Sequence, residues 1–450
     1  MSGCLRGLKP KDIIYGVLLI SLVCSFCTVS GAFASSASED WPMFHHDLTH
    51  TGYSASTDPP ISANKLWNYT TGTVVWASPA VANGYVYIPS DDRNVYCLNA
   101  TTGAKVWSYT TRSALGSSAA VAGGYVYVGS YDRNVYCLDA STGAKVWNFT
   151  TGATVQSSPA VADGYVYVGS WDNNVYCLDA LTGAKIWNYT TGSLVESSPA
   201  VANGYVYVGS VDSNVYCFDA LTGAKVWNFT TGNVVQSSPT VVGDYVYIGS
   251  EDNSVYCLNA TTGTKIWSYA TQGWIDSSPA VANGYVYVGS WDGDNNVYCL
   301  DALTGEKIWN YTAQEGVNSS PAVAGGYVYV GSWDGNLYCL DALTGAKVWS
   351  YQTQSHVNSS PAIVGGQVYV GSWDHNVYAF GTPSATNTPP LSTSPSPSPS
   401  SSPSDQTTPS PTPQPTLSAP TEIIYAVAAV IAVVVIVAVA LMQRRQKKNA

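Results

Sequence analysis

The sequence predicts an all-β fold, a single eight-bladed β-propeller of four-stranded blades closed into a ring by an N-terminal strand. Three observations predict it. Residues 65–382 repeat a unit of 40 residues eight times, and such a period with several short strands per unit marks a propeller. Each unit holds four pieces rich in Val, Tyr and Ile, bounded by Gly, Asp and Asn. The pieces are also offset by one, because an outermost-type piece precedes the first innermost one and the last unit ends without its own.

In the third unit the pieces run Ser158 to Ala162, Tyr165 to Gly169, Asn174 to Leu178 and Lys185 to Thr190. The offset then dictates closure. If Lys65 to Thr70 pairs with Asn376 to Phe380, the eighth blade is complete and no strand lacks a neighbour. A chain of 450 residues would otherwise suggest two or three domains. The ring also explains the composition: blades are buried on both faces, so only 10% of residues are charged, against roughly 25% in ordinary domains.

The flanks carry a different signal. Residues 1–34 have a basic start, an apolar run and Ala32-Phe33-Ala34, the pattern of a signal peptide. Residues 35–64 form a lead-in segment expected to pack on the propeller, and 383–421 a disordered Pro/Ser/Thr-rich stalk. Residues 422–442 hold an uncharged run, Ile423 to Met442, long enough for one transmembrane helix. The basic tail 443–450 follows and places the C-terminus in the cytoplasm. The expectation is a single-pass protein of the cell membrane with its propeller outside the cell. Outside the terminal segments, 11 basic and 27 acidic residues leave a net charge of −16. That is the wrong sign for holding phosphate, so nucleic acid is dropped as a partner.

The stretch Cys177-Leu178-Asp179-Ala180-Leu181-Thr182-Gly183-Ala184-Lys185-Ile186-Trp187 resembles the tryptophan-docking motif of quinoprotein-type, PQQ-like propeller repeats, Ala-x-Asp-x-x-Thr-Gly-x-x-x-Trp. It recurs at seven junctions, ending at Trp107, Trp147, Trp187, Trp227, Trp267, Trp309 and Trp349, and Trp67 holds the same place in the N-terminal strand. These tryptophans are expected to dock one blade on the next. Cys replaces the first Ala, Asn99 and Asn259 replace Asp, and the motif is lost after Ala379. The segment Trp41 to Gly52 is similar to the lead-in of secreted members.

The resemblance implies a choice between catalytic and non-catalytic members. Catalytic quinoproteins use a disulfide between neighbouring cysteines beneath the quinone, with a calcium ion held by acidic and amide groups. Here Cys97, Cys137, Cys177, Cys217, Cys257, Cys299 and Cys339 stand one per unit in the third strand. Equivalent positions in adjacent blades lie about 12 Å apart on strand spacings of about 4.8 Å, beyond the roughly 7 Å that a disulfide spans. They read as small buried hydrophobes, the chain reads as non-enzymatic, and no cofactor is expected. PQQ and calcium stand as the alternatives. Asp292, Asp294 and Asn296, in a sixth unit two residues longer than the rest, are the weak metal candidates; the other reading is a stretched turn. His45, His46, His50 and Asp47 are either metal ligands or hydrogen-bonding groups of a packed segment. An Asp recurring in the second-to-third turn of every unit, Asp292 in the sixth, is read as a turn cap.

Differences among the copies gather in two loops that alternation of strand direction puts on one face. The residue before the inner strand reads Trp76, Gly116, Gln156, Glu196, Gln236, Asp276, Asn318 and Asn358, a largely polar ring at the channel mouth. The second-to-third turn adds Tyr131, Trp171, Trp291, Trp333 and Trp373, with Asp91, Val211 and Glu251 at the same place. Acids and amides beside aromatic planes suit a polysaccharide or a surface protein. The other reading is that these tryptophans seal blade against blade. Five Asn-Tyr/Phe-Thr sequons, at Asn68, Asn148, Asn188, Asn228 and Asn310, lie on the outermost strand. There glycans would shield an edge, unless the pattern is β-propensity multiplied by duplication. The function expected is a stalked binding scaffold; a quinone- or metal-binding domain and a structural envelope component are the alternatives.

Overall fold

The computed structural model describes residues 40–56 and 58–381. The assignments to signal peptide, stalk, transmembrane helix and tail lie outside these residues. Among the described residues every regular element is a strand, and the strands form eight sheets.

Blade 3 shows why the repeat folds as it does. Its strands are Ala160–Ala162, Tyr165–Gly169, Asn174–Asp179 and Lys185–Thr190, paired antiparallel in that order. Val166, Val168, Val175 and Leu178 are fully buried, because sheets pack on both faces of the blade. Each such side chain contributes about 1.5–3 kcal/mol on burial. The inner strand starts two residues later than the sequence predicts, since Pro159 has no N–H and Ser158 gives its own to Ser198 Oγ of the next blade. The core sits between blades: Tyr167, Cys177 and Trp187 of blade 3 pack with Val206, Val208 and Phe218 of blade 4.

The docking tryptophans do what their motif implies. A register shift between Cys177 and Leu178, opposite Trp187, lets the outer strand turn that indole inward while Ile186 stays exposed. Its Nε1–H donates to the Ala220 carbonyl of blade 4 at 2.9 Å. Trp147 does the same to Ala180 and lies on Gly183, whose φ is +71° and where a Cβ would stand 2.7 Å from the indole. Glycine is required there twice over.

The predicted closure is present. Lys65–Thr70 pairs with Asn376–Gly381 and completes the blade of Gln367–Gly371 and Ala362–Val364. Blade 7 departs from four strands, since Tyr53–Ser54 of the lead-in adds to Ala322–Ala324 in parallel. The rest of the lead-in follows the inner strands. It exchanges backbone hydrogen bonds with Val81 through Trp41, and its carbonyls accept from Val121, Val201, Val241, Val281 and Val323.

Two expectations need correcting in blade 6. The turn cap is Asp294, not Asp292: Asp294 accepts from Tyr298 Oη and the Gln272 N–H, as Asp172 in blade 3 does from Tyr176 Oη and the Gly152 N–H, and it accepts from Ser290 Oγ as well. The two extra residues are extruded, and Asp292 and Gly293 are exposed at φ +55° and +99°. Asp292, Asp294 and Asn296 therefore do not turn toward a common centre as calcium ligands would. Asp294 is already committed to neutral donors, including the Asn296 amide.

Candidate functional site

The face assignment holds, because the Ala180 N–H bonds the Gly164 carbonyl and the Thr191 N–H bonds the Asn173 carbonyl. The first bond joins the two constant turns at one end of the blades. The second joins the two variable loops at the other.

At the axis of the variable face lies a cup of about 130 Å³ lined by the predicted ring of Trp76, Gly116, Gln156, Glu196, Gln236, Asp276, Asn318 and Asn358. Phe44 joins this lining from the lead-in. Beneath the polar ring is a second one that sequence reasoning missed. Ser78, Ser118, Ser158, Ser198, Ser238, Ser278, Ser320 and Ser360 each give their backbone N–H to the Oγ of the next, at 2.9–3.0 Å, and Ser360 closes on Ser78. Every serine oxygen in that ring is an acceptor from the chain, which leaves its hydroxyl proton free to turn. The signal was the Ser before the Pro or Ala of every unit, at the 40-residue period.

The two variable positions read separately in the sequence are bonded to each other. Tyr131 Oη donates to Gln156 Oε1 at 3.2 Å, Gln236 Nε2 to Glu251 Oε1 at 2.9 Å, Trp291 Nε1 to Asp276 Oδ2 at 2.8 Å and Trp333 Nε1 to Asn358 Oδ1 at 2.8 Å. Gly116 lacks a side chain because the Tyr131 hydroxyl fills its place, 2.5 Å from where a Cβ would be. Four bonded pairs thus tie the two positions together around the rim.

Its chemistry varies around the ring. Indoles pack from blade to blade, tilted against one another, as Trp291, Trp333, Trp373 and Trp76, with ring centres 5.2, 6.1 and 5.0 Å apart, and Trp274 and His356 add to them. These tryptophans are half-buried, so sealing the blades and presenting an edge to solvent are one arrangement. Trp171 stands apart, against Tyr131 at 6.2 Å. The carboxyls of Glu196, Glu251 and Asp276 run up to the arc of indoles, and Asp276 is bonded to Trp291 itself. Burial pushes Asp276 up to about 7, helped by the charge of Glu251, and burial also raises Glu196 and Glu251. Asp276 Oδ1 and the N–H groups of Trp171 and Trp373 are buried without a partner among the described residues.

The remaining candidates fall elsewhere. His45 and His50 are buried, their ring nitrogens on the carbonyls of Pro321, His50 and Pro239. Asp47 accepts from Thr49 and Thr51. No group of three or more His, Cys, Asp or Glu among the described residues has the geometry of a metal site. The seven blade cysteines are buried free thiols, pushed up to about 12 by burial. The five outer-strand sequon asparagines are exposed, and each gives its amide to a third-strand Asn, as Asn188 does to Asn174 at 2.9 Å. Thr190, the last residue of that sequon, donates to the same oxygen.

The family model described as outer membrane protein assembly factor BamB, of PQQ-type repeats, matches residues 56–149, 110–215, 172–273, 211–316 and 293–388. The chain belongs to this PQQ-like repeat family. BamB from Moraxella catarrhalis is 20% identical, with a TM-score of 0.63 over 71% of this chain and 99% of that one. A europium-containing methanol dehydrogenase is 15% identical, with a TM-score of 0.68 over 76% and 98% of the two chains. The quinohemoprotein alcohol dehydrogenase from Comamonas testosteroni is 17% identical, with a TM-score of 0.67 over 79% and 82%. At such identities the likeness establishes the propeller and leaves the activity open, as the PQQ-like family itself does. No curated protein sequence matches the chain.

Proposed function

We propose that this PQQ-like propeller is a non-enzymatic scaffold, held at the outer face of the cell membrane by its C-terminal segment, that binds a surface protein or polysaccharide through the loop face. The observation that carries this reading is the bonded rim around the axial cup, where buried carboxyls adjoin a run of packed indoles. Such a rim meets a ligand that offers hydroxyl or ammonium donors and an apolar side. The indole edges meet its CH groups, and the polar side chains that line the cup meet its donors. The lead-in runs along the inner strands from the other end, which leaves the loop face as the approach.

A quinone does not fit the residues present. The cup of about 130 Å³ is below the ≈ 300–1,000 Å³ of ordinary cofactor sites. The thiols are buried one to a blade and paired with no neighbour. On the outer strands, exposed sequons are placed to carry glycans that block edge pairing, and a mass loss on deglycosylation of the full chain tests that part.

The main test uses the full chain carrying Trp171→Ala together with Trp333→Ala. Binding to a panel of cell-wall glycans and surface proteins is expected to fall at least tenfold for the true ligand, about 1.4 kcal/mol. Unchanged binding across the panel would move the site away from this face.

A further inference from the structure

We propose that the outer rim between blades 1 and 2 is a second binding site, one that takes the carboxylate of an acidic polysaccharide. It is independent of the axial cup. A groove of about 260 Å³ runs there between the outer strands, lined by Tyr109, Arg112, Arg133, Tyr136 and Lys145 among others. The described residues include three arginines, Arg93, Arg112 and Arg133. Two of them, Arg112 and Arg133, line this groove, and the Thr111 N–H bonds the Arg93 carbonyl at 2.8 Å, which sets the backbone of the third arginine's turn next to Arg112.

The repeat supplies its own control. Where Arg112 stands, the other junctions have Gly72, Gly152, Gly192, Gly232 or a glutamine. Where Arg133 stands, blades 3, 5 and 6 have Asn173, Asn253 and Asn295 and blade 7 has Gly335. That turn position takes a positive φ throughout, +70° at Asn173 and +83° at Gly335, a conformation Asn and Gly adopt readily. Arg133 and Arg93 adopt it at +73° and +76°, as Ser213 and His375 do at +68° and +71°, so the conformation belongs to the turn and the guanidinium side chain is what these two copies add. Lys145 recurs in every blade, so the additions peculiar to this junction are the guanidinium groups.

None of these cations has an ion-pair partner among the described residues. The acid in the lining, Asp132, is committed to the Arg112 and Asn134 N–H groups and to the Tyr136 hydroxyl. Exposed Arg112, Arg133 and Lys145 are therefore open to a ligand anion, and a guanidinium fork matches the two oxygens of a carboxylate. Half-buried Tyr109, packed at 5.7 Å against the buried ring of Tyr136, offers an apolar surface to a sugar ring, and Thr110 and Thr150 offer hydroxyls beside it. The combination of cation, aromatic surface and neutral polar groups is that of a uronate site. With the region outside the terminal segments at −16 overall, attraction is confined to this corner and screened by salt.

The test uses the full chain from a host without N-glycosylation, which keeps Asn148 bare, and measures binding to polygalacturonate, dextran sulfate, neutral dextran and polyglutamate. The expected result is retention on polygalacturonate that weakens as salt rises. It should fall at least tenfold in the Arg112→Gly, Arg133→Asn double variant and stay unchanged in the Trp171→Ala, Trp333→Ala variant of the cup. Both rim substitutions install residues that other blades already hold, so the double variant should unfold no earlier than the parent. Wild-type affinity in that variant, or equal binding to neutral dextran, overturns the site. Preference for dextran sulfate or for polyglutamate overturns the assignment to a carboxylated sugar.

Discussion

The Trp349 indole N–H donates to the Pro60 carbonyl at 3.0 Å, where the docking tryptophans of the other seven blades donate to an alanine carbonyl of the blade that follows. Tyr329 Oη adds a bond of 3.3 Å to the same oxygen. Blade 8 takes its outer strand from the N-terminus and so has no third-to-outer turn of its own. The lead-in supplies the missing carbonyl, and the ring is latched where its two ends meet. Trp349→Phe removes this donor and keeps most of the ring packing. It should lower stability by about 1–2 kcal/mol, read as a fall in thermal midpoint, whereas Val348→Ala, on the exposed side of the same strand, should shift it little.

The blade thiols should be inert in the folded state. Burial holds Cys97, Cys177 and their equivalents near 12, so no thiolate forms at neutral pH and no reagent reaches the sulfur. A chromogenic disulfide reagent should label none of the seven in the native propeller and all of them in denaturant. Rapid native labelling of one blade cysteine would show that blade to be open.

His50 should make the fold acid-sensitive. Burial first, and then the neighbouring His45, lower it to about 3, so the folded protein keeps it neutral while the unfolded chain protonates it from about pH 6.5 downward. The sign follows. Its contribution is intact above pH 6.5 and is lost as pH falls toward 3, at about 1.4 kcal/mol per pH unit. Denaturant midpoints across that range should fall less steeply for His50→Asn than for the parent.

At the rim, Asp276 should titrate close to neutrality and report through Trp291, which donates to it at 2.8 Å. Tryptophan fluorescence of the folded chain is expected to change with a midpoint near pH 7, and Asp276→Asn should abolish that step. Glu251→Gln removes the negative charge that helps raise Asp276, so the midpoint should move down. A midpoint indifferent to Glu251 would separate the two carboxyls.

The closure and the docking rule were legible because each is written eight times and the departures are informative: an outer-type strand before the first inner strand, and a motif lost after Ala379. The ring of polar residues at the mouth was legible for the same reason, as variation against an otherwise constant unit. The bonds within it were not. Tyr131 reaches Gln156 across blades, and Glu251 reaches Gln236 within one, contacts set by side-chain direction at loop ends and not by spacing. The sixth turn was misread because an insertion offers two aspartates, and only the register of Asn296 against Thr312 shows that Asp294 is the cap.

By itself the sequence determined the propeller, its eight blades, the strand that closes it and the face on which the copies differ, since all of these follow from period, count and alternation. Tertiary structure alone decided that the serines join into one hydrogen-bonded ring, that Pro60 completes the last junction and that Arg112 and Arg133 line one groove. Those contacts join residues from about twenty to nearly three hundred positions apart, and a local pattern says which face a residue occupies but not which distant group the closed ring sets against it.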